Sequence, residues 1–559
     1  MRRALGLLTV TMALLATTMV ALTVFRSARP EASATRSPVI EPHQITVTPI
    51  GPDQATIDKV KGDLMKNPTL LVRLKGARAR LVVFEFIDAD PKASDKTLPP
   101  TQYRAQVFDY TNNKAYVVIG NFKDNRIEIS STLQQPNTCE EEFQDAVSII
   151  AADKQLGDAV RNHLLEPYMP MPPLVAIDQP VGKVERTVTV GLMPPDGKSG
   201  NEVVGVNMIR RSVVRYQDSA PPASNAVTQN CGVPNAGQAT TSRGTTGTAD
   251  IVISRGGLEI WRFTCVRPSA STGGNASGID LKNIKFRGKL VLKEAHAPIL
   301  NVQYERNFCG PFRDWSYQEG MFVANGTDVA GTNGGIRMCT DEPQTMIDNA
   351  TDTGNYRGVA IYDRESVTLV SELNAGWYRY ISKWVFHDEG IIEPRFGFGA
   401  TSNSCVCHIH IHHVYWRFDF DLNTAANNAV FESLSGFAKP IETEGRRARV
   451  SSGNQLFLVR NLLSGETATI RPGPLDGNYD KYGKGDLWAL LYKSTEIDDN
   501  GGTSTAINID PYVNNEIIYG ADVVVWYAGH WRHEHFDGPT PEHGEGPETI
   551  GPDIILSGY

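Results

Sequence analysis

The sequence has no excess of positive charge. Its 54 lysines and arginines are outnumbered by 63 aspartates and glutamates, which gives a formal net charge of −9. Proteins that bind nucleic acids neutralise phosphates with basic side chains, so this balance argues against a nucleic acid partner. Long stretches of helical periodicity are also rare, whereas glycine and proline are common. We therefore expect a strand-rich fold that acts on something other than nucleic acid.

A single apolar run is long enough to cross a bilayer, and it lies near the N-terminus. Two arginines precede the apolar stretch Leu5–Phe25, which has about 21 residues where one crossing needs ~20. The small residues Ala32, Ser33 and Ala34 then provide a candidate cleavage site. Residues 1–34 are predicted to be a signal peptide or an uncleaved signal anchor. Either alternative puts the remaining chain outside the cytoplasm, as a secreted, periplasmic or membrane-anchored protein.

Seven cysteines fit this exported location. An oxidising compartment permits disulfides, and the odd count leaves at least one thiol unpaired. The spacing of the cysteines does not fix which of them pair. They are Cys139, Cys231, Cys265, Cys309, Cys339, Cys405 and Cys407.

The first part of the exported chain is predicted to form small α+β units. Residues 40–165 combine a helical pattern, "QATIDKVKGDLMKN", with strand-like runs such as "RLVVFEFI" and "AYVVIGNF". Thr138 and Glu141 have the spacing of a capping box at the start of a further helix. Residues 166–245 are predicted to be a second small α+β region followed by a linker rich in Gly, Ser, Thr and Asn.

Residues 246–559 are dense in short strand-like segments separated by Gly, Asn and Asp turns. Examples are "LEIWRFTCV", "VTLVSEL", "DLWALLYK" and "ADVVVWYA". This texture is typical of one large antiparallel β-sandwich. The predicted fold class is therefore mainly β, with small α+β domains at the N-terminal side.

The segment "CVCHIHIHHVYWRFDFDL" concentrates groups that could bind a metal. In a strand, alternate residues face the same side. His408, His410 and His412 then share the apolar face with Val414, Trp416, Phe418, Phe420 and Leu422. Charged imidazolium is costly to bury, so neutral histidines held by a metal or by hydrogen bonds are expected there. Cys405 and Cys407 have the opposite parity, which indicates packing or disulfide partners rather than ligands.

A further ligand is expected from a second histidine-rich segment, "ADVVVWYAGHWRHEHFDGPTPEH". It contains His530, His533, His535 and His543. Two histidines in a His-X-His pair and one distant histidine make a site that suits zinc or copper.

These segments resemble the copper-containing, topaquinone-dependent amine oxidases. In that family a His-X-His strand continues into Arg-X-Asp-X-Asp, as "HIHHVYWRFDFDL" does here. The resemblance implies copper ligation by His410 and His412. Counting along the late "ADVVVWYAGHWRH" strand implies His533 as the third ligand, with His530 and His535 as alternatives.

The resemblance extends upstream of the histidine strand. "KFRGKLVLKEAHAPILNVQYERN" is similar to a family segment that places Tyr304 where a tyrosine hydrogen-bonds the quinone. "FRDWSYQEG" implies Asp314 as the catalytic base, although the usual glycine after the aspartate is missing. Asp419 and Asp522 are implied as ligands of a peripheral Ca²⁺, with a solvated strand face as the alternative interpretation.

The cofactor of the family forms from the tyrosine of an Asn-Tyr-Asp/Glu motif that precedes the copper histidines. "VTLVSELNAGWYRYISKWVFHDEGII" has this order and context, which implies Tyr378 as the precursor. Its neighbours are Trp377 and Arg379 rather than Asn and an acid. The motif itself, Asn478-Tyr479-Asp480, occurs after the histidine strand in a Gly- and Asp-rich stretch that is typical of a surface turn.

The resemblance implies an exported copper and quinone amine oxidase. Such an enzyme uses O₂ to convert a primary amine to an aldehyde, releasing ammonia and hydrogen peroxide. A homodimer is expected by the same analogy. The altered neighbours of Tyr378 leave two alternatives open: a copper-binding scaffold of the same type without a formed quinone, and a copper protein with different oxygen chemistry.

Overall fold

The structure is a computed structural model that describes most of the chain from residue 41 onward. The described residues are 41–87, 92, 99–132, 136, 138–170, 185–194, 202–215, 231–236, 244–271, 278–305, 309, 311–314, 318–450, 455–480, 483–494, 509–533 and 549–559. Residues 1–34, predicted as a signal segment, lie outside this set. No helix in the described ranges is both long and apolar enough to span a bilayer.

The first elements form a helix pair on a four-stranded sheet. In chain order they are α1 (Gln54–Leu64), α2 (Pro68–Leu74), β2 (Ala79–Ile87), β3 (Gln102–Asp109), β4 (Lys114–Asn121) and β5 (Ile127–Thr132). The strand before them, β1 (Gln44–Pro49), pairs instead with a strand of the first large sheet described below. Strands β2 to β5 pair antiparallel in sequence order. Apolar residues of α1 and α2, including Ile57, Leu64 and Leu70, pack with Phe84 and Val107 of the sheet. The apolar faces of the two helices and of the sheet thus pack against each other, as the helical and strand periodicities of the sequence predict.

A second four-stranded sheet follows. Its elements are α3 (Glu140–Ala151), α4 (Gly157–Arg161), β6 (Glu166–Tyr168), β7 (Thr187–Met193), β8 (Glu202–Asn207) and β9 (Ser212–Arg215). Helix α3 packs against β7, β8 and β9, so it contributes to this second sheet as well as to the first unit. The predicted capping box is wrong, because Cys139 occupies the N-cap and no side chain caps the helix. The predicted boundaries at residues 165 and 245 stay predictions.

The remaining strands build two large sheets. In chain order they are β10 (Thr248–Arg255), β11 (Leu258–Val266), β12 (Asp280–Phe286), β13 (Lys289–Tyr304), β14 (Pro311–Asp314), β15 (Gln318–Glu319), β16 (Gly326–Asp328), β17 (Ile336–Cys339), β18 (Val359–Asp363), β19 (Val367–Ala375), β20 (Tyr378–His387), β21 (Ile391–Ala400), β22 (His410–Phe420), β23 (Asn428–Leu434), β24 (Phe437–Ile441), β25 (Gly445–Arg447), β26 (Leu456–Asn461), β27 (Thr467–Arg471), β28 (Leu487–Leu491), β29 (Val523–His533), β30 (Thr549–Ile550) and β31 (Asp553–Ser557). A short helix, α5 (Met346–Asn349), lies between β17 and β18.

Within the described residues, the two sheets have ten and thirteen strands. The first has the order β1-β10-β11-β12-β13-β22-β29-β28-β25, with β14 as a tenth strand paired to β13. The second has the order β16-β17-β18-β19-β20-β21-β31-β27-β26-β23-β24, with β15 paired to β19 and β30 paired to β21. Pairing is antiparallel apart from β17 with β18. One continuous core joins both sheets and includes Trp261, Trp384, Trp416 and Phe457. The predicted fold class, mainly β with a large antiparallel sandwich, is confirmed.

Strand β22 lies inside the first sheet, between β13 and β29. Its residues are buried almost without interruption. The predicted apolar face, with Trp416 and Phe418, belongs to the core between the sheets. The opposite face is buried as well, because Tyr415 packs with Trp488 and Trp526 in a separate cluster. Burial on both faces holds this strand in a single register.

Two disulfides lie beside the N-terminal end of β22. Cys231 pairs with Cys407, and Cys309 pairs with Cys405. The prediction that Cys405 and Cys407 are disulfide or packing partners rather than ligands is confirmed. The three remaining cysteines, Cys139, Cys265 and Cys339, are free thiols.

Removing the Cys231–Cys407 disulfide is expected to destabilise the protein. The bond closes a loop of sequence separation 176, and loss of such a cross-link typically costs ~2–4 kcal/mol. We expect the Cys231→Ser/Cys407→Ser double variant to lower the free energy of unfolding in denaturant titrations by that amount. Cys339→Ser, which removes a free and half-buried thiol, is the matched control. Equal stability of the double variant and the control would contradict the pairing.

Candidate metal centre

Strand pairing brings histidines from distant parts of the sequence together. His410 of β22 lies opposite His533 of β29 in the antiparallel register. The Nε2 atom of His410 is 3.0 Å from Nδ1 of His533. His412, two residues along β22, joins them, and each of the three offers a ring nitrogen within 4.8 Å of the others. The three histidines that the resemblance implies as ligands are therefore one cluster.

The local contacts leave these histidines ready to bind a metal. The backbone carbonyl of His408 accepts a hydrogen bond of 2.6 Å from Nδ1 of His410. This bond fixes the tautomer and directs Nε2 of His410 into the cluster. Burial lowers the pKa of His410, His412 and His533 well below the ordinary value, with further lowering by neighbouring histidines at His410 and His412. The neutral imidazole that results is the form that ligates metals.

The surroundings of the His412 ring show whether a metal fits this cluster. Its ring is fully buried, and neither ring nitrogen has a hydrogen-bond partner among the described residues. Phe398 stacks on the ring with centroids 4.2 Å apart, which holds its orientation. Buried polar atoms are normally satisfied, and a metal bound by one nitrogen of His412 together with the two other histidines would supply a missing partner, so the residues fit a metal site. Three imidazoles suit copper or zinc.

Tyr378 reaches the same cluster from the opposite sheet. It is the first residue of β20, directly after a hairpin turn in which Gly376 has a φ of 61°. The buried Tyr378 hydroxyl hydrogen-bonds Nε2 of His410 and lies 3.0 Å from Nδ1 of His533. Its ring is 4.6 Å from the ring of His412, edge to face. The phenol oxygen thus lies among the nitrogens that would bind the metal.

Tyr304 is held beside the cluster by two neighbours. It lies opposite His410 in the pairing of β13 with β22, and the two rings stack with centroids 4.6 Å apart. The indole nitrogen of Trp377 donates a hydrogen bond of 2.8 Å to the Tyr304 hydroxyl. The carbonyl of Trp377 accepts a bond of 2.7 Å from the amide of Thr401. Trp377 therefore anchors Tyr304, a role that the sequence pattern does not reveal.

Arg379 does not bring an uncompensated charge to the centre. Its guanidinium forms a buried two-point ion pair with Asp352, with N–O distances of 2.6 and 2.9 Å. Asn374 accepts a further bond from it. Because consecutive strand residues point to opposite faces, Arg379 leaves the strand on the side away from Tyr378.

Glu372 is buried near this ion pair. One carboxylate oxygen accepts a hydrogen bond of 2.7 Å from the amide of Met346. The other has no partner among the described residues. Burial raises the pKa of Glu372 to about 8, against partial lowering by the Met346 bond and by Arg379. Glu372 is therefore predominantly protonated at neutral pH.

The other predicted residues lie elsewhere. Asp314 ends β14, and its backbone pairs with Leu300 of β13; its side chain lies outside the described part of the structure. Tyr479, of the alternative Asn-Tyr-Asp motif, is half exposed. His530 faces away from the cluster and contacts His413, with 2.7 Å between their Nδ1 atoms. His535 and His543 lie outside the described residues.

The predicted calcium ligands Asp419 and Asp522 do come together, and Asp421 joins them. The described part of the chain also places a lysine among them. The ammonium nitrogen of Lys92 is 2.6 Å from Asp419, 2.9 Å from Asp421 and 2.9 Å from Asp522. The "RFDFD" motif contains Asp421 as well as Asp419, but no sequence pattern connects Lys92 to them.

The fold is that of the copper amine oxidases. A copper-containing benzylamine oxidase from Hansenula polymorpha has a TM-score of 0.58 and 12% sequence identity, over 91% of this chain and 98% of that one. A lysyl oxidase from Pichia pastoris has a TM-score of 0.56 and 12% identity, over 93% and 92%. An amine oxidase from Aspergillus nidulans has 0.51 and 14%, over 93% and 91%. No family model and no curated sequence matches the chain.

Loss of any one of the three clustered histidines is expected to weaken metal binding. We predict that His410→Ala, His412→Ala and His533→Ala each reduce copper affinity at least ~100-fold, because two imidazoles do not complete the site. His408→Ala is the matched control, since this histidine contributes its backbone carbonyl rather than its ring. Copper titration with a competing chelator measures the affinities. An equal loss in His408→Ala would contradict the ligand assignment.

The raised pKa of Glu372 predicts a pH dependence of stability. The pKa of Glu372 is near 4.5 in the unfolded chain and about 8 in the folded protein, so the folded protein binds this proton more tightly. The stabilisation that results is complete below pH 4.5 and is lost as the pH rises through 8. Loss of this proton should lower the unfolding free energy of the wild type by roughly 1–3 kcal/mol between pH 6 and 9. We expect this part of the pH dependence to be absent in Glu372→Gln. Glu365→Gln, at an exposed turn, is the control. Identical pH profiles for both variants would contradict the assignment.

Proposed function

We propose that this chain is a divergent copper amine oxidase in which His410, His412 and His533 bind Cu(II) and Tyr378 is the precursor of topaquinone. The observation that carries this proposal is the position of the Tyr378 hydroxyl, which contacts His410 and lies 3.0 Å from His533. A phenol that is to be oxidised at a metal needs such proximity to the metal ligands. The fold shared with known copper amine oxidases supports the same reading.

Copper and the quinone together would supply an electrophilic carbonyl for a primary amine and a route for electrons to O₂. The residues around them have separate tasks. Tyr304, fixed by stacking on His410 and by the indole of Trp377, orients the cofactor ring. Asp314 is the proposed base that removes a proton from the carbon next to the amine nitrogen. The overall reaction consumes O₂ and water, converts the amine to an aldehyde and releases ammonia and hydrogen peroxide.

The neighbours of Tyr378 are compatible with this assignment. Trp377 is engaged with Tyr304, and Arg379 is neutralised by Asp352. The substrate ammonium therefore meets no unpaired positive charge from Arg379. The two substitutions relative to the family motif remove a small polar residue and an acid, and both replacements have partners: Trp377 bonds Tyr304 of β13, and Arg379 pairs with Asp352 in the loop before β18.

Two further properties belong to the proposal, the first from the N-terminal sequence and the second by analogy with the family. The chain is expected to act outside the cytoplasm, because its N-terminal segment has the composition of an export signal. It is expected to be a homodimer. Neither property enters the chemistry of the centre.

Detection of the quinone tests this function directly. Full-length protein loaded with copper in air is expected to stain for redox-cycling activity and to form a phenylhydrazine adduct. Peptide mass should locate a gain of two oxygens and a loss of two hydrogens on Tyr378. Tyr378→Phe should lose all three signals and keep copper, because the histidines are unchanged.

Tyr479→Phe is the matched control and should retain the quinone, since Tyr479 is half exposed and is not part of the cluster. A copper-loaded wild-type protein without a quinone signal would contradict the oxidase proposal and favour the copper-binding scaffold. Modification of the Tyr479 peptide would instead overturn the choice of tyrosine.

A further inference from the structure

The cluster of Asp419, Asp421 and Asp522 lies away from the histidine centre. Asp419 lies at the C-terminal end of β22 and Asp421 directly follows the strand, whereas His410 and His412 occupy its start. Asp522 directly precedes β29. Asp419 and Asp421 are buried and Asp522 is half-buried. Three carboxylates this close and this shielded from water repel one another unless a cation lies among them.

We propose that the ammonium group of Lys92 is that cation, and that it permanently takes the position in which a divalent metal would otherwise bind. Lys92 comes from the connection between β2 and β3, and is separated from Asp419 by 327 residues in sequence. Its three hydrogen bonds, of 2.6, 2.9 and 2.9 Å, use one acidic side chain each. An ammonium group has three donors, so three separate carboxylates match it. The inference does not depend on the proposed oxidase function.

The residues around Lys92 stabilise a buried positive charge. Its side chain is 15% exposed. The ammonium lies 4.3 Å from the ring centroid of Tyr492, a distance that gives a cation–π contact. The carboxylates raise the pKa of Lys92, so the group stays charged despite burial. Burial and mutual repulsion raise the pKa of Asp421 to about 6 and of Asp522 to about 7, while the ammonium of Lys92 acts in the opposite direction on both.

The geometry disfavours calcium while Lys92 is in place. Calcium requires six to eight oxygen ligands at about 2.3–2.6 Å, and here the ammonium occupies the point where the three acidic groups converge. A metal would have to expel a hydrogen-bonded ammonium from a half-buried site. The calcium implied by resemblance therefore does not fit the residues present. The same contacts tie Lys92 to β22, which carries His410, and to Asp522, which directly precedes β29.

The proposal is tested with Tb³⁺ as a luminescent substitute for Ca²⁺ on the full-length, copper-loaded chain. Tyr492 beside the cluster can sensitise a bound Tb³⁺. Wild type is expected to show no saturable signal that Ca²⁺ displaces. Lys92→Met keeps the length of the side chain and removes its charge, so it should expose the carboxylates and bind Tb³⁺ at least tenfold more tightly than wild type. Addition of Asp421→Asn to that variant should abolish the gain.

Lys289→Met is the matched control, because it breaks a comparable ion pair with Glu466, of 2.6 Å, and leaves the acidic cluster intact. It should behave as wild type. Tight, Ca²⁺-displaceable Tb³⁺ binding by wild type would overturn the proposal, and so would the absence of any gain in Lys92→Met.

A second measurement needs no variant and covers the case in which Lys92→Met fails to fold. Amine acetylation of folded wild type, followed by peptide mass, should modify Lys59, whose side chain is 74% exposed, and spare Lys92. Protection of Lys92 should be unchanged in millimolar Ca²⁺. Rapid acetylation of Lys92 without Ca²⁺ would show that the lysine is not held among the carboxylates, and acetylation that appears only when Ca²⁺ is added would show that a metal displaces it; either result would overturn the proposal.

Discussion

The centre depends on the register of three neighbouring strands. Tyr304 of β13, His410 of β22 and His533 of β29 lie in one line across the sheet. A slip of one residue in β22 would exchange the face of His410 and His412 with that of His413, which contacts His530 on the other side. Because large aromatic residues are buried on both faces of β22, such a slip is costly. The sheet therefore sets the ligand geometry before any metal binds.

The opposite sheet supplies the tyrosine, and the residues beside it are explained by their contacts. The hairpin between β19 and β20 delivers Tyr378 to the three histidines. Trp377 uses its indole nitrogen to hold Tyr304, and Arg379 uses its guanidinium to hold Asp352. Each side chain therefore has a structural partner. The departures from the family motif leave the tyrosine and its access to the histidines intact.

Local patterns predicted the parts of the molecule that depend on strand alternation. The inward face of β22, with His410 and His412, follows from a period of two. Alternation alone does not choose between His533 and His535 as the third histidine. That choice rested on counting positions along the segment that resembles the family, and the pairing of β22 with β29 places His533 opposite His410. Contacts between residues far apart in sequence could not be predicted, because no local pattern marks them. They include the disulfide pairs, the hydrogen bond from Trp377 to Tyr304 and the position of Lys92 among the aspartates. The capping box failed because helix α3 begins after Cys139 instead of Thr138.

The most direct test of the histidine centre is the electron spin resonance of the copper-loaded wild-type protein, with pulsed detection of the remote ring nitrogens. His410, His412 and His533 predict a single Cu(II) species that is coupled to several imidazoles. Isotope labelling of histidine should alter these couplings. A Cu(II) signal without imidazole coupling, or with that of one ring alone, would contradict a copper site built from these three residues.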